Sequence, residues 1–419
     1  MERKSMMKEL PIVEREFLNI LECFMHEKEY HFPEGFSKTG NEINQLYELA
    51  SVHKVTAVVY NQICREECVQ QSATVMAFKR QTIQTVAFQA QREAGFLPVY
   101  QKLREQGLHP LVVKGAICRH LYTKPDYRLS GDEDMLLPKA EFEVCDRILL
   151  EAGFRREEMD LQNLPYEIPY VNSQNGVYIE LHFSLFPEES GAYGHLNQEF
   201  RHVFATCICE QIQQTEVWTL EPTMHLFYLI CHSFKHFLHS GFGIRQVCDM
   251  MMMAEHYGEQ IDWKYIMERL HALRMDGFWN GLLELGRTYL GFEPQQAGYP
   301  ESLLVQETDC YHLLIDLLES GVFGDSTMER KHSSNVTLAA AESGKKNVTA
   351  SLRASLFPNK SYMKHNYPWL DRYPFLLPIA WVLRICNYIK TSKKTAGEAG
   401  SMEIGMERVE LLREYHIID

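Results

Sequence analysis

Apolar and polar positions set a helical rhythm along the first part of the chain. In "EINQLYELASVHKVTAVVYNQICREE" apolar residues recur three and four apart, the spacing of one helix face. A long polar-apolar segment from about Gln70 to Gln106 continues the pattern, and Gly107 is placed to stop it. The rhythm then changes. "HPLVVKG" is a short β-branched run ending in Gly, as a buried strand would be. "AICRHLYTK" suits a short helix and "GDEDMLLP" a strand closed by Pro138. "KAEFEVCDRILLEAGF" reads as an amphipathic helix with Gly153 near its end. "YEIPYVNSQ" and "VYIELHFSLF" read as strands joined by a turn at Asn175-Gly176. After Pro222 the helical rhythm returns in "MHLFYLICHSFKHFLHSG", "IRQVCDMMMMAEHYG" and "DWKYIMERLHALRMDGFWNGLLELGRTYLG", with Asp262 as an N-cap.

These patterns predict an α+β protein: a helical region at 1–95, a small mixed-sheet core at 96–220 and a second helical region at 221–419. Within the last region, residues 324–356 are poor in large apolar side chains and read as a flexible loop. A last helix is expected near "LLPIAWVLRICNYIK", giving way to the polar stretch 391–401.

Composition narrows the class. At 45% hydrophobic and 23% charged residues, the chain is ordinary globular protein. No apolar run approaches the roughly 20 residues that span a bilayer, and the N-terminus lacks the apolar block of a signal peptide. The eleven cysteines are scattered without a CxxC pair, which argues for reduced thiols and against structural zinc. The expectation is a soluble, cytoplasmic protein without a membrane partner. A net charge of −14 disfavours a nucleic-acid partner, which needs a broad basic surface.

The candidate chemistry begins at "YRLSGDEDMLLP". Side chains alternate across a strand, so Asp132 and Asp134 share one face and Glu133 and Met135 the other. Paired carboxylates are costly without a cation between them, and hard oxygen donors favour Mg²⁺ or Mn²⁺. In "VYIELHF", Glu180 and His182 share a face while Ile179, Leu181 and Phe183 turn to the core. Asp132, Asp134 and Glu180 on adjacent strands could then hold two metals, the arrangement that supports in-line displacement at phosphorus. His182 is placed to orient Glu180 or to move a proton. For phosphates, "VVKGA" sets Gly115 between strand and helix, with Lys114, Arg128 and Ser130 as nearby partners.

Several residues carry milder readings. His225, His232, His236 and His239 fall on nearly one face of a helix; they read as cleft-lining or core histidines, since the Glu of a zinc peptidase motif is missing. Lys235, between them, is a candidate for the nucleotide phosphates that otherwise reads as a surface lysine. Arg245 and Asp249 read as a helix-face pair.

Together these residues resemble a family. An h-G turn at Val113/Gly115/Ala116, D-x-D at Asp132/Asp134 and h-E-h at Ile179-Glu180-Leu181 resemble the nucleotidyltransferase superfamily with the polymerase-β-like fold. More narrowly, "LVVKGAICRHLYTKPDYRLSGDEDMLL" with "IELHFSLF" is similar to the bacterial uncharacterised nucleotidyltransferase family, and so are several later helices. Ala116 stands where the superfamily has Ser, and Glu133 where it has an apolar residue. The resemblance implies a transferase that moves a nucleoside monophosphate from a metal-bound NTP, ATP foremost, to a hydroxyl-type acceptor. That acceptor would be a small molecule or a protein. Phosphoryl or pyrophosphoryl transfer on the same fold, or a non-catalytic nucleotide-sensing or protein-interaction module, are the alternatives.

Overall fold

A computed structural model describes residues 10–37, 40–65, 73–160, 164–305, 308–321, 328–343, 360, 363–364, 367–383 and 398–418. The N-terminal region is helical: α1 (Ile12–Met25), α2 (Asn41–Val52), α3 (Thr56–Ile63) and the long α4 (Ala73–Glu105). Pro98 lies inside α4, where it removes one ladder hydrogen bond. Gly107, at φ +78°, ends the helix: its N–H meets Arg104 O at 2.8 Å and Leu108 N–H meets Leu103 O at 3.1 Å. That paired closure needs a left-handed residue, which Gly supplies without strain.

The sheet follows as expected. It comprises β1 (Leu111–Val113), β2 (Glu133–Leu136), β3 (Glu167–Asn172) and β4 (Val177–His182), in the order β1-β2-β4-β3. The β2–β4 pair is parallel and the outer pairs are antiparallel, so the sheet is mixed. Two helices accompany it, the short α5 (Gly115–Arg119) after β1 and α6 (Phe142–Glu151) after β2. The Asn175-Gly176 turn closes the β3–β4 hairpin with Gly176 at φ +72°. Helix α4 packs against α6 and β4, covering one face of the sheet.

Beyond the sheet, an unanticipated hairpin, β5 (Ile208–Ile212) and β6 (Thr215–Thr219), leads into the C-terminal helices. These are α7 (Pro222–Leu238), α8 (Ile244–Tyr257), α9 (Trp263–Ala272), α10 (Asp276–Tyr289), α11 (Tyr311–Ser320), α12 (Met328–Ser343) and α13 (Glu398–Glu414). Glu221 caps α7 by accepting from Thr223 N and Met224 N, and Asp262 caps α9 by accepting from Tyr265 N.

Two expectations are corrected here. Residues 328–343, read as loop, form α12; residues 344–356 of that stretch lie outside the described residues. The helix near 376–390 is followed by α13, so it is not the last; part of it and most of the polar stretch 391–401 also lie outside the described residues. The large hydrophobic core runs from α1 through the sheet to α11, with Val336 and Ala340 of α12 and Val409 and Leu412 of α13 joining it; Met363, Leu370 and Ala380 form a second, small cluster.

Candidate active site

The parallel register of β2 and β4 sets Asp134 beside Glu180. Ile179 and Leu181 are fully buried on the other side of β4, so alternation turns Glu180 and His182 toward Asp134. His182 Nε2 lies 3.1 Å from Asp134 Oδ1 and 3.7 Å from Glu180 Oε2. Its other nitrogen is 3.7 Å from Glu167 Oε2 on β3. Asp134, Glu180 and His182 each offer a ligand atom, all within 4.8 Å of one another. Asp132 stands outside that group. It precedes β2 by one residue, is half-buried, and lines the neighbouring cleft.

Charge holds the group together. Asp134 is 1% exposed, and burial alone would raise its carboxyl. The Lys114 ammonium, 3.0 Å away, and the bond from His182 outweigh burial and hold it well below the ordinary carboxylate range. His182 follows the same logic with opposite sign: burial lowers it, but Asp134 and Glu180 push it up to about 9. Asp132 differs. Burial and the charge of Asp134 raise its carboxyl, and Lys114 only partly offsets them.

These opposed shifts give a testable asymmetry. A raised carboxyl contributes stability below the ordinary carboxyl range and loses it as pH climbs through the raised value. At neutral pH the Asp132 carboxylate is therefore a net cost, and Asp134, depressed, is a net gain. In EDTA, Asp132→Asn is expected to leave the melting temperature unchanged or higher while Asp134→Asn lowers it. Calorimetry showing both variants equally destabilised would contradict this.

The turn after β1 departs from the expected phosphate cradle. Lys114 sits at φ 60° and Gly115 at φ +29°. A Cβ on Gly115 would come within 2.3 Å of Glu133 Oε2, so no side chain fits there. The Ala116 N–H donates to Glu133 Oε2 at 2.8 Å, and the Lys114 N–H to His225 Nε2 at 3.2 Å. The Lys114 and Ala116 N–H groups are thus both satisfied inside the protein. Glu133, in the apolar slot of D-x-D, is fully buried and receives Arg119 Nη1 at 2.6 Å. Arg119 also meets Glu93 of α4 at 3.1 Å and Ser130 Oγ at 3.0 Å.

Beside the acids lies a cleft of about 680 Å³, between the β1 turn and helices α7 and α8. Lys114, Gly115, Arg128, Ser130 and Asp132 line it from the β1–β2 segment, and His232, His236 and Arg245 from the two helices. Arg128 grips Asp249 with two bonds, Nε to Oδ1 at 3.1 Å and Nη2 to Oδ2 at 2.5 Å, and Tyr122 OH adds a third at 2.9 Å. Asp249 therefore does not pair with Arg245, whose guanidinium donates to Leu129 O instead. His232 Nε2 lies 3.1 Å from both Lys114 Nζ and His236 Nε2. Burial, then Lys114, pushes His232 well below the usual imidazole range, so it stays neutral beside the ammonium.

Lys235 is half-buried rather than superficial: burial first, then Lys114, lowers its ammonium, and Glu167, Asp134 and Glu180 act on it in return. His225 is a core histidine held by the Lys114 N–H and Thr219. Arg245 is the cleft residue that sequence reading missed. Its one signal was position, in the first turn of the helix after "GFG", and the i, i+4 acid drew attention away from it.

A family model described as uncharacterised nucleotidyltransferase matches residues 39–291, from the N-terminal helices through the sheet to α10. No curated protein and no solved structure matches the chain.

Proposed function

The chain belongs to the uncharacterised nucleotidyltransferase family, and from that premise we propose that it transfers a nucleoside monophosphate, from ATP or another NTP, to a hydroxyl-type acceptor with release of pyrophosphate. The observation that carries this reading is the acid group of Asp134, Glu180 and His182 at the edge of a cleft lined by Lys114, Arg128 and Arg245. Phosphoryl chemistry needs that adjacency: hard ligands for a divalent cation on one side, fixed positive charge for phosphate oxygens on the other.

The donor set suits a hard divalent ion. Two carboxylates and an imidazole converge with buried positive charge already balanced against them. Asp134, Glu180 and His182 would hold Mg²⁺ or Mn²⁺, with Asp132 adding a carboxylate from the cleft side. Bound there, the ion would neutralise phosphate oxygens and make an acceptor hydroxyl more acidic.

The chain's own residues do the rest. Asp249 and Tyr122 fix the guanidinium of Arg128 facing the cleft, so its charge costs no reorganisation when phosphate arrives. Neutral His232 gives Lys114 a second resting partner beside Asp134, which lets the ammonium turn toward an incoming phosphate. Glu180, half-buried beside Asp134, would hold the ion on the acceptor's side. Before an ion binds, His182 Nε2 holds Asp134 by a hydrogen bond and lies 3.7 Å from Glu180. The chain's acidity favours a small molecule or protein side chain over RNA as acceptor.

Incubation with ATP labelled at either the α or the γ phosphate tests the reaction. The expected result is α label on the acceptor and labelled pyrophosphate from the γ position. Label from γ on the acceptor would replace this proposal with phosphoryl or pyrophosphoryl transfer. Binding of ATP with no label transferred to any acceptor offered, proteins and small metabolites included, would replace it with a nucleotide-sensing module.

A further inference from the structure

We infer that Arg92 and Gln89, on α4, are positioning residues: they hold the Ser130-Gly131 segment and so set the Asp132 carboxylate in the cleft. This rests on the metal-dependent reading for what Asp132 does there, and on the geometry for how it is placed.

Asp132 needs a device that Asp134 does not. Asp134 is tied directly to Lys114 and His182. Among the described residues the Asp132 carboxylate accepts no hydrogen bond and has no cation within 4.0 Å; Lys114 and Arg245 act on it from farther off. Its side chain is therefore placed by the backbone that carries it. Packing does not fix that backbone on its outer side: Gly131 is exposed, and a Cβ there would meet nothing within 4 Å.

Helix α4 fixes it from behind. Gln89 and Arg92, one turn apart on α4, share a face, and both are buried. Gln89 Oε1 accepts from the Ser130 N–H at 3.0 Å. Arg92 donates from Nη1 to Ser130 O and from Nη2 to Gly131 O, each at 2.5 Å. Arg119 and Arg128 donate to Ser130 Oγ, so every polar atom of Ser130 is held. Gly131 O belongs to the peptide group that leads into Asp132, so the grip ends at the residue it positions. Arg92 itself has no carboxylate within 4.0 Å among the described residues; Glu133 and Asp132 act on it from longer range. Burying a guanidinium without a direct counter-charge is unfavourable, and here it secures the course of two residues. Its planar fork meets two successive carbonyls at once, which a lysine cannot do.

Mn²⁺ titration of the full-length protein, followed by the electron paramagnetic resonance of the free ion, tests the inference without turnover. Arg92→Met is expected to weaken Mn²⁺ binding about ten-fold, the scale on which residues that support a metal ligand act. Asp132→Asn should weaken it as much, and the double variant no further, because Arg92 acts through Asp132. Arg92→Lys should recover part of the loss. Gln89→Leu keeps the guanidinium and serves as the second variant should Arg92→Met not fold. It should show a smaller loss that vanishes in the Asp132→Asn background. Wild-type Mn²⁺ affinity in the folded variants, or losses that add to that of Asp132→Asn, would overturn the inference and leave the metal site standing. Wild-type protein that binds no Mn²⁺, with or without ATP, would instead remove the metal-dependent reading, and this inference with it.

Discussion

Asp134→Asn is expected to reduce transfer of the α label by about a thousand-fold or more, the scale on which removing one preorganised electrostatic group slows an enzyme. Asparagine keeps the shape and loses the charge. Among the described residues Asp134 is the carboxylate that contacts both Lys114 and His182, and it stands beside Glu180 in the parallel register. Its loss removes a proposed metal ligand and also leaves the Lys114 ammonium and the His182 imidazole facing one another without an anion between them. The variant should therefore melt lower as well, and activity must be compared below that temperature. A companion variant separates the two effects. Lys114→Met combined with Asp134→Asn removes both charges of the pair, so stability should recover in part while transfer stays absent. Turnover within ten-fold of wild type in Asp134→Asn would end the metal-site proposal.

How much of this was legible from sequence depended on whether a signal was local. The alternation in "VYIELHF" was enough to put Glu180 and His182 on one face, because strand geometry alone decides it. It did not reveal that His182 is nearly as buried as the core or that its imidazole joins the acid group ahead of Asp132. Glu133 looked like a departure from an apolar position. Its compensation comes from Arg119, which Glu93 of α4 shares, and partners so far apart leave no mark in a window of sequence. The β5–β6 hairpin escaped notice because its two-residue turn is Gln213-Gln214, with Gln213 at φ 52° instead of the usual Gly or Asn.

Helix α12 was missed for a packing reason. It buries Ser333, Val336, Thr337 and Ala340, and α13 approaches it so closely that a Cβ on Gly405 would meet the Val336 Cβ at 3.2 Å. Small residues allow that approach, and a helix that packs through them lacks the large apolar stripe by which helices are recognised.

The largest expected loss of stability lies away from the reacting atoms, at Arg119. Arg119→Leu should lower the free energy of unfolding by about 3–5 kcal/mol, the usual cost of stripping a buried ion pair of one partner. Arg119 is fully buried, as is Glu133, and Glu93 nearly so, so neither carboxylate can turn to water when the guanidinium is gone. Burial raises the Glu93 carboxyl, but His120 and Arg119 outweigh it and hold it down to about 2. Without Arg119 the hydrogen-bond partners left among the described residues would be His120 and the Gln213 amide for Glu93 and the Ala116 N–H for Glu133. Urea denaturation of the variant measures the loss directly. Because Glu133 also anchors the turn that carries Lys114, pyrophosphate affinity should fall along with stability. Adding Glu133→Leu should restore part of the stability, since the second unpaired charge is then removed. It should not restore affinity, because the Ala116 N–H then loses its acceptor and the turn its fixed shape. If stability and affinity instead recover together, the buried pair serves the fold alone and the turn is positioned by something other than Glu133.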